Sequence, residues 1–238
     1  MRRARAASAS FAQRAEGERR PSGRRAKSKR WSRDRETTRS PNFGVLVERE
    51  VLFTGIGGQG IQLAAQVLAR AAIAAGREVM LFGSYGGTMR GGPTDATLVV
   101  ADAPVGAPPI VSRAWSAIAM HPAYFPGVAG KLAPDSVVVA NTSLVRDPIT
   151  GDRWRVYGVP ATQLATECGS ALAGALVLVG AYASLTGLVS FEALIAGIAA
   201  SLPERRKQHR ELNERAVRAG FDALPPGAAP AWPEECAA

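Results

Sequence analysis

Apolar positions along this chain fall into short runs broken by glycine and proline. Val51-Leu52-Phe53 leads through Thr54 into Gly55-Ile56-Gly57-Gly58-Gln59-Gly60, and helical periodicity follows from Ile61 to Gly76. That order predicts a strand, a tight turn and a helix. Within the helix Gln62, Gln66 and Arg70 lie four apart as one polar stripe, and nearly everything else is Ala, Leu, Ile or Val. A helix so apolar is buried on more than one side, against a sheet and against a neighbouring helix or a partner subunit. A second strand, Glu78 to Phe82, runs into a glycine-rich stretch from Gly83 to Pro93. Further strand-like runs are Thr94 to Ala101, Ser116 to Met120, Ser136 to Ala140 and Trp154 to Tyr157, with a short helix at Pro122 to Gly130.

The C-terminal third reads as helical. Ala171 to Val189 has nineteen residues without a charge, yet five are alanine and Gly174, Gly180 and Gly187 interrupt it. Such a run is too weakly apolar for a membrane span and suits a close-packed internal helix. Ser201 and Glu204 spell a capping box beside Pro203, opening a helix through Arg205-Arg206-Lys207 with Gly220 as its stop. The expected fold class is α/β: three layers, a mainly parallel sheet with helices on both faces, and a Rossmann-like glycine-loop start. The expected divisions are a basic disordered extension over 1–46, the α/β domain over 47–224 and a mobile tail over 225–238.

Candidate chemistry sits in the two glycine loops. Gly55, Gly57 and Gly60 fit the spacing G-x-G-x-x-G, with Gly58 as a fourth glycine. Glycines let the backbone turn tightly, and the first N–H groups of the following helix favour an anion. In the second loop five glycines surround Ser84, Tyr85 and Arg90, and Arg90 is its one formal charge. A guanidinium among glycines suits a phosphate or a partner's carboxylate. Asn141 is placed at the carboxyl end of a strand, the ligand side of such sheets. His121, also at a strand end, is read as a loop-seating hydrogen-bond donor rather than an acid or base. A dinucleotide reading lacks its ribose-binding acid, because Glu78 is at the wrong end of its strand. An NADP reading with Arg90 on the 2′-phosphate stays open.

Charge changes the picture once it is located. The formal net charge is +9, but residues 1–43 hold 14 of the 29 Lys+Arg and 4 of the 20 Asp+Glu, leaving the remainder at −1. The basic character belongs to the extension, so it does not argue for a nucleic-acid-binding fold. An organellar transit peptide, or translation from upstream of a true start at Val45 or Val47, are the readings of that extension. Two distant cysteines, Cys168 and Cys236, and two histidines supply neither an iron–sulfur cluster nor another metal site. The low cysteine count and lack of a secretory signal suit a reducing cytoplasm.

The loop pair Gly55-Ile56-Gly57-Gly58-Gln59-Gly60 and Ser84-Tyr85-Gly86-Gly87-Thr88-Met89-Arg90-Gly91-Gly92 resembles the gamma subunit of 2-oxoacid:ferredoxin (acceptor) oxidoreductases. The resemblance continues through Ala119-Met120-His121-Pro122, Asn141-Thr142, Asn213, Ala216 and Gly220, and covers residues 47–221. It implies one subunit of a hetero-oligomer that oxidatively decarboxylates a 2-oxo acid with coenzyme A, giving acyl-CoA, carbon dioxide and reduced ferredoxin. Thiamine diphosphate and iron–sulfur clusters would sit in sister alpha and beta subunits and in a ferredoxin-like subunit or free ferredoxin. Gly55, Gly57, Gly58, Gln59 and Gly60 would then offer backbone donors to a coenzyme A phosphate. Ser84, Tyr85 and Arg90 would form the adjacent wall or a subunit seam, with Asn141 on the ligand side and no catalytic residue in this chain. One departure is Gly87-Thr88, where the family usually has Pro-Glu, so no role of that carboxylate carries over. The alternatives are a non-catalytic assembly subunit and a free-standing NADP-binding reductase.

Overall fold

The computed structural model describes residues 46–85, 91–105, 111–143, 149–150 and 152–233. All of them lie in the unit that starts at Phe43. Six strands form one sheet: β1 (Glu48–Ile56), β2 (Glu78–Tyr85), β3 (Pro93–Ala101), β4 (Ala114–Ala119), β5 (Leu132–Asn141) and β6 (Trp154–Val159), in the order β2-β3-β1-β4-β5-β6. β1, β4, β5 and β6 pair in parallel, whereas β3 is antiparallel to both β1 and β2. The sheet is therefore mixed but mostly parallel, with β3 alone reversed. β2 and β3 pair up to Tyr85 opposite Thr94, so the two ends of the glycine-rich stretch lie side by side.

Strand alternation divides the core. Val51, Phe53, Leu98, Val100, Ile118, Val137 and Val139 face α1 (Ile61–Ala74), α3 (Ala161–Glu167), α4 (Gly174–Thr186), α5 (Phe191–Ser201) and α6 (Arg210–Phe221). Leu52, Ala117, Ala119, Val138 and Ala140 face the other way, towards Val128 of the single-turn α2 (Pro126–Ala129) and its N-cap Phe125. Helices on both faces were expected. Among the described residues the second face carries only α2, and handedness explains its side. The chain moves one way across the sheet from β1 to β2 and the other way from β4 to β5, so right-handed crossovers fall on opposite faces.

The charge-free stretch of the sequence is α4, all thirteen residues of which are buried. No helix among the described residues is long and apolar enough to cross a membrane. α4 crosses α6 where two glycines meet. A Cβ on Gly180 would lie 2.1 Å from the Val217 carbonyl oxygen, and one on Gly220 would lie 1.8 Å from that of Val177. Gly220 thus lies inside α6 as a packing residue, not as the helix stop read from sequence. α1 packs on α5 in the same way at Gly197, whose Cβ would lie 2.5 Å from the Val67 carbonyl oxygen. The one polar ring in α4 is accounted for: the Tyr182 hydroxyl pairs with Ser116 Oγ at 2.9 Å, which in turn donates to the Glu50 carbonyl at 3.0 Å. Burial pushes the Tyr182 phenol above its usual range.

Two further expectations are corrected. Ser201 is the last residue of α5 and caps nothing; a 3-10 turn, Glu204–His209, precedes α6. The segment expected to be a mobile tail is packed as far as Trp232. Gly227, Ala229 and Ala231 donate their N–H groups to the carbonyls of Ser184, Leu185 and Thr186 at 2.8, 3.0 and 2.7 Å. The last carbonyls of a helix have no partner within it, so this strap supplies what α4 lacks. Trp232 pins the strap, donating from Nε1 to the Leu188 carbonyl at 3.1 Å beneath the Arg77 guanidinium, 4.0 Å from the ring centroid. Arg49 Nε also donates to the Ala231 carbonyl.

Candidate functional site

Each glycine of the first loop answers to a separate demand. Gly58 and Gly60 have φ of 102° and 78°, a region that disfavours any residue with a Cβ. Gly55 is crowded, since a Cβ there would come within 2.8 Å of Ile61 Cδ1. Gly57 meets the second loop: its N–H donates to the Gly92 carbonyl at 2.9 Å, and a Cβ would reach Thr94 Oγ1 at 3.3 Å. Gln59 closes the turn on itself. Its N–H donates to the Ile56 carbonyl at 3.1 Å, and its Oε1 accepts from Ile56 N at 2.9 Å. Its backbone N–H, expected to face an anion, is therefore committed within the turn, and its side-chain oxygen braces the turn.

The loop delivers the chain to an uncapped helix. Gly60 is the N-cap of α1, no side chain caps it, and the first turn holds no acidic residue. The first helical bond runs from Ala64 N to the Gly60 carbonyl at 2.9 Å. The N–H groups of Ile61, Gln62 and Leu63 meet no acceptor among the described residues, and neither do those of Gly58 and Gly60. Orphan donors at the positive end of a helix dipole favour an anion.

The second loop adjoins this one through its described shoulders. Ser84 and Tyr85 end β2, opposite Asp95 and Thr94 of β3, and Gly91 and Gly92 lie against Gly57. Arg90 lies outside the described residues. Gln62, from the polar stripe of α1, ties the helix to β3 by donating to the Asp95 carbonyl at 2.9 Å. Gly83 makes room for it, since a Cβ there would be 2.4 Å from Gln62 Oε1.

Asn141 does end β5, but it is fully buried and its amide is committed. Nδ2 donates to the Met120 carbonyl at 3.2 Å and to Thr162 Oγ1 at 2.9 Å; Oδ1 accepts from Ser143 N at 3.1 Å and Thr162 N at 3.3 Å. It joins β4, β5 and α3, so no part of its amide is left for a ligand. His121 differs from expectation too: Nδ1 is buried without a hydrogen-bond partner, and the ring sits edge-on to Tyr124 at 5.6 Å. It seats its loop by ring packing.

From Gly58 and Gly60 a groove of about 630 Å³ runs between α1, α4 and α6, with Leu172, Leu202, His209 and Asn213 among its lining residues. Sequence reading did not find this groove, because its walls come from segments more than a hundred residues apart. The chain does not fit an iron–sulfur cluster, which takes about four thiolates; its sequence has two cysteines, and no three His, Cys, Asp or Glu side chains converge among the described residues.

Residues 50–223 match the model of the pyruvate ferredoxin/flavodoxin oxidoreductase family. The chain belongs to this family. It is 31% identical over 190 residues to the 2-oxoglutarate synthase subunit KorC of Methanothermobacter thermautotrophicus, covering 76% of this chain and 97% of that one. Against the pyruvate synthase subunit PorC of the same organism it is 31% identical over 177 residues, covering 74% and 95%. Among solved structures it superposes on the gamma subunit of keto/oxoacid ferredoxin oxidoreductase from Geobacter sulfurreducens with TM-score 0.62 and 26% identity, covering 74% of this chain and 97% of that chain. The fold also recurs within a third of a longer chain, the 2-oxoglutarate:ferredoxin oxidoreductase from Magnetococcus marinus, at TM-score 0.67, 18% identity and 77% coverage of this chain. This protein is the gamma subunit of a 2-oxoacid:ferredoxin oxidoreductase of the pyruvate or 2-oxoglutarate synthase kind, one part of a multi-subunit enzyme.

Proposed function

We propose that this gamma subunit holds coenzyme A for the oxidative decarboxylation of a 2-oxo acid, with a phosphate on the N–H groups of Gly58, Gly60 and the first turn of α1. Thiamine diphosphate and the iron–sulfur clusters belong to sister alpha and beta subunits and a ferredoxin-like subunit or free ferredoxin, in a cytoplasmic hetero-oligomer. Those groups supply the carbon chemistry and the electron transfer. This chain supplies binding and orientation of the acyl acceptor. Ser84 and Tyr85 end β2 beside the loop, and these two residues with Arg90 would line its wall or the subunit seam.

The observation that carries this reading is the uncapped start of α1 opening onto a groove of about 630 Å³, more volume than an isolated anion fills. Gly58 offers the test, because nothing lies within 4 Å of a Cβ built there. Asn and Asp tolerate positive φ better than other residues, so Gly58→Asn and Gly58→Asp carry a similar backbone strain and differ in charge. In the assembled complex Gly58→Asp raises the KM for coenzyme A about tenfold over Gly58→Asn, the effect of a like charge a few ångströms from a partly screened phosphate. Thiamine and iron content and the KM for the 2-oxo acid stay constant. Equal KM values for coenzyme A in the two variants would leave the glycine loops a packing role, as in a non-catalytic assembly subunit.

A further inference from the structure

One side of the sheet is left open over β2 and β3. Alternation and register place Met80 and Phe82 of β2 with Asp95, Thr97 and Val99 of β3 on the side away from α1, Phe82 opposite Thr97 and Met80 opposite Val99. The apolar cluster on that side takes in Leu52 and residues of β4 and β5, but none of β2 or β3. Phe82 is 51% exposed. β2 is also the end strand, so its outer row of N–H and C=O groups meets no strand among the described residues. Natural edges are guarded by lysine, proline or a bulge. β2 has none of these, and the one charge in its eight residues is Glu78, at the start. An apolar edge left open in this way suits cover by another chain.

Asp95 adds a demand for charge on the same side as Phe82. Its Oδ1 is buried and has no hydrogen-bond partner among the described residues. A carboxylate oxygen shut away from water needs a donor, and lysine or arginine is the strongest. The strands cannot supply one. Glu50 lies opposite Val99 on this side, and the one basic residue of the three strands, Arg49, pairs with Val100 and so belongs to the side of α1. Two copies of this chain would bring carboxylates together here, so charge favours a different, basic partner.

We propose that this face of β2 and β3 seats a sister subunit, which lays an apolar segment over Met80 and Phe82 and places a lysine or arginine on Asp95. The inference rests on the chain being one part of a multi-subunit enzyme, and it is independent of where coenzyme A binds. It gives Asp95 a sign that a structural role does not share. The carboxylate oxygen has no partner to lose within its own chain, so Asp95→Asn leaves the melting temperature of the free subunit unchanged or raises it, while its hold on the sister subunit weakens.

The experiment follows dissociation of this subunit from the assembled oxidoreductase on dilution, by mass photometry, for Asp95→Asn and Phe82→Thr, with thermal melts of each full chain alone. Removing one partner of a buried charge pair raises the dissociation constant about tenfold or more. Phe82→Thr keeps a strand-forming residue, removes the aromatic anchor, and raises the constant about tenfold. The KM for coenzyme A, read where the complex stays assembled, is unchanged in both. Unchanged dissociation constants overturn the proposal, as does a raised KM for coenzyme A without loss of assembly. A lowered melting temperature in Asp95→Asn with no loss of assembly makes Asp95 structural and overturns the ion pair. A dimer of the chain alone that Phe82→Thr dissolves makes the occupant a second copy and also overturns it. Failure of the wild-type chain to copurify with any sister subunit would instead refute the multi-subunit reading on which the proposal stands.

Discussion

Gly220→Ala gives two readings of one residue opposite signs. A glycine closing a helix at negative φ gains about 1 kcal/mol when replaced by alanine, because alanine is the better helix former. In the structure the added methyl would stand 1.8 Å from the Val177 carbonyl oxygen and 2.7 Å from its carbon. Those are backbone atoms of α4, so no side chain can swing away and the two helices must part by roughly an ångström or more. Overpacking of this kind costs about 1–3 kcal/mol, and a collision with backbone belongs at the upper end. Set against the helix-propensity gain, the net loss is about 2 kcal/mol. For a domain of this size that lowers the melting temperature by about 4–8 °C. Scanning calorimetry of the purified chain reads the shift. Gly127→Ala in α2 serves as the control, since a Cβ there meets nothing within 4 Å. A Gly220→Ala protein that melts with the wild type or above it would refute the close crossing of α4 and α6.

Trp232→Ala removes a buried ring, its bond to the Leu188 carbonyl and the seat of Arg77, and destabilises the chain by about 3 kcal/mol in urea melts, the low end for such truncations because one edge of the ring reaches the surface. No change would mean that the strap contributes little beyond covering α4. Burial pushes the Glu50 carboxyl above its usual range, opposed by its acceptance of the Trp115 N–H and by Arg49. The folded state therefore favours the protonated acid, and the stability Glu50 contributes in acid is lost as pH rises through its folded-state value. Glu50→Gln keeps an acceptor for Trp115 and flattens that fall, so the variant gains on wild type at pH 8 relative to pH 4; an identical difference at both would exclude Glu50 as the source.

Local periodicity carried much of the architecture. β1, the first glycine loop and α1 were legible from the one stretch Val51 to Gly76, because a strand, a turn and a helix each leave their own spacing. The burial of α4 was legible from its freedom from charge and its small residues. The place of β3 was not, since strand order is a long-range property that no window contains. Gly220 was misread because a glycine near the end of a helical pattern looks the same whether it stops the helix or admits a neighbour. Ser201 matched a capping pattern while sitting at the far end of the preceding helix. The strap was missed because its work is done by backbone N–H groups, which leave no mark on composition. In the site, Asn141 was placed correctly at the end of its strand, but its partners, Met120 and Thr162, could not be seen from spacing.

The reversed strand has a consequence for which nucleotides the loop can discriminate. In a dinucleotide enzyme the strand beside the glycine turn ends in the acid that grips the ribose hydroxyls. Here β3 takes that place and pushes the end of β2 two strand spacings, about 10 Å, away from β1. The one carboxylate near that end of β3, Asp95, alternates with Ala96 and Leu98 and so belongs to the face away from α1. A sugar lying over the helix face would find neither. Restoring an acid to β2 by mutation is therefore expected to leave the chain without recognition of a nicotinamide dinucleotide.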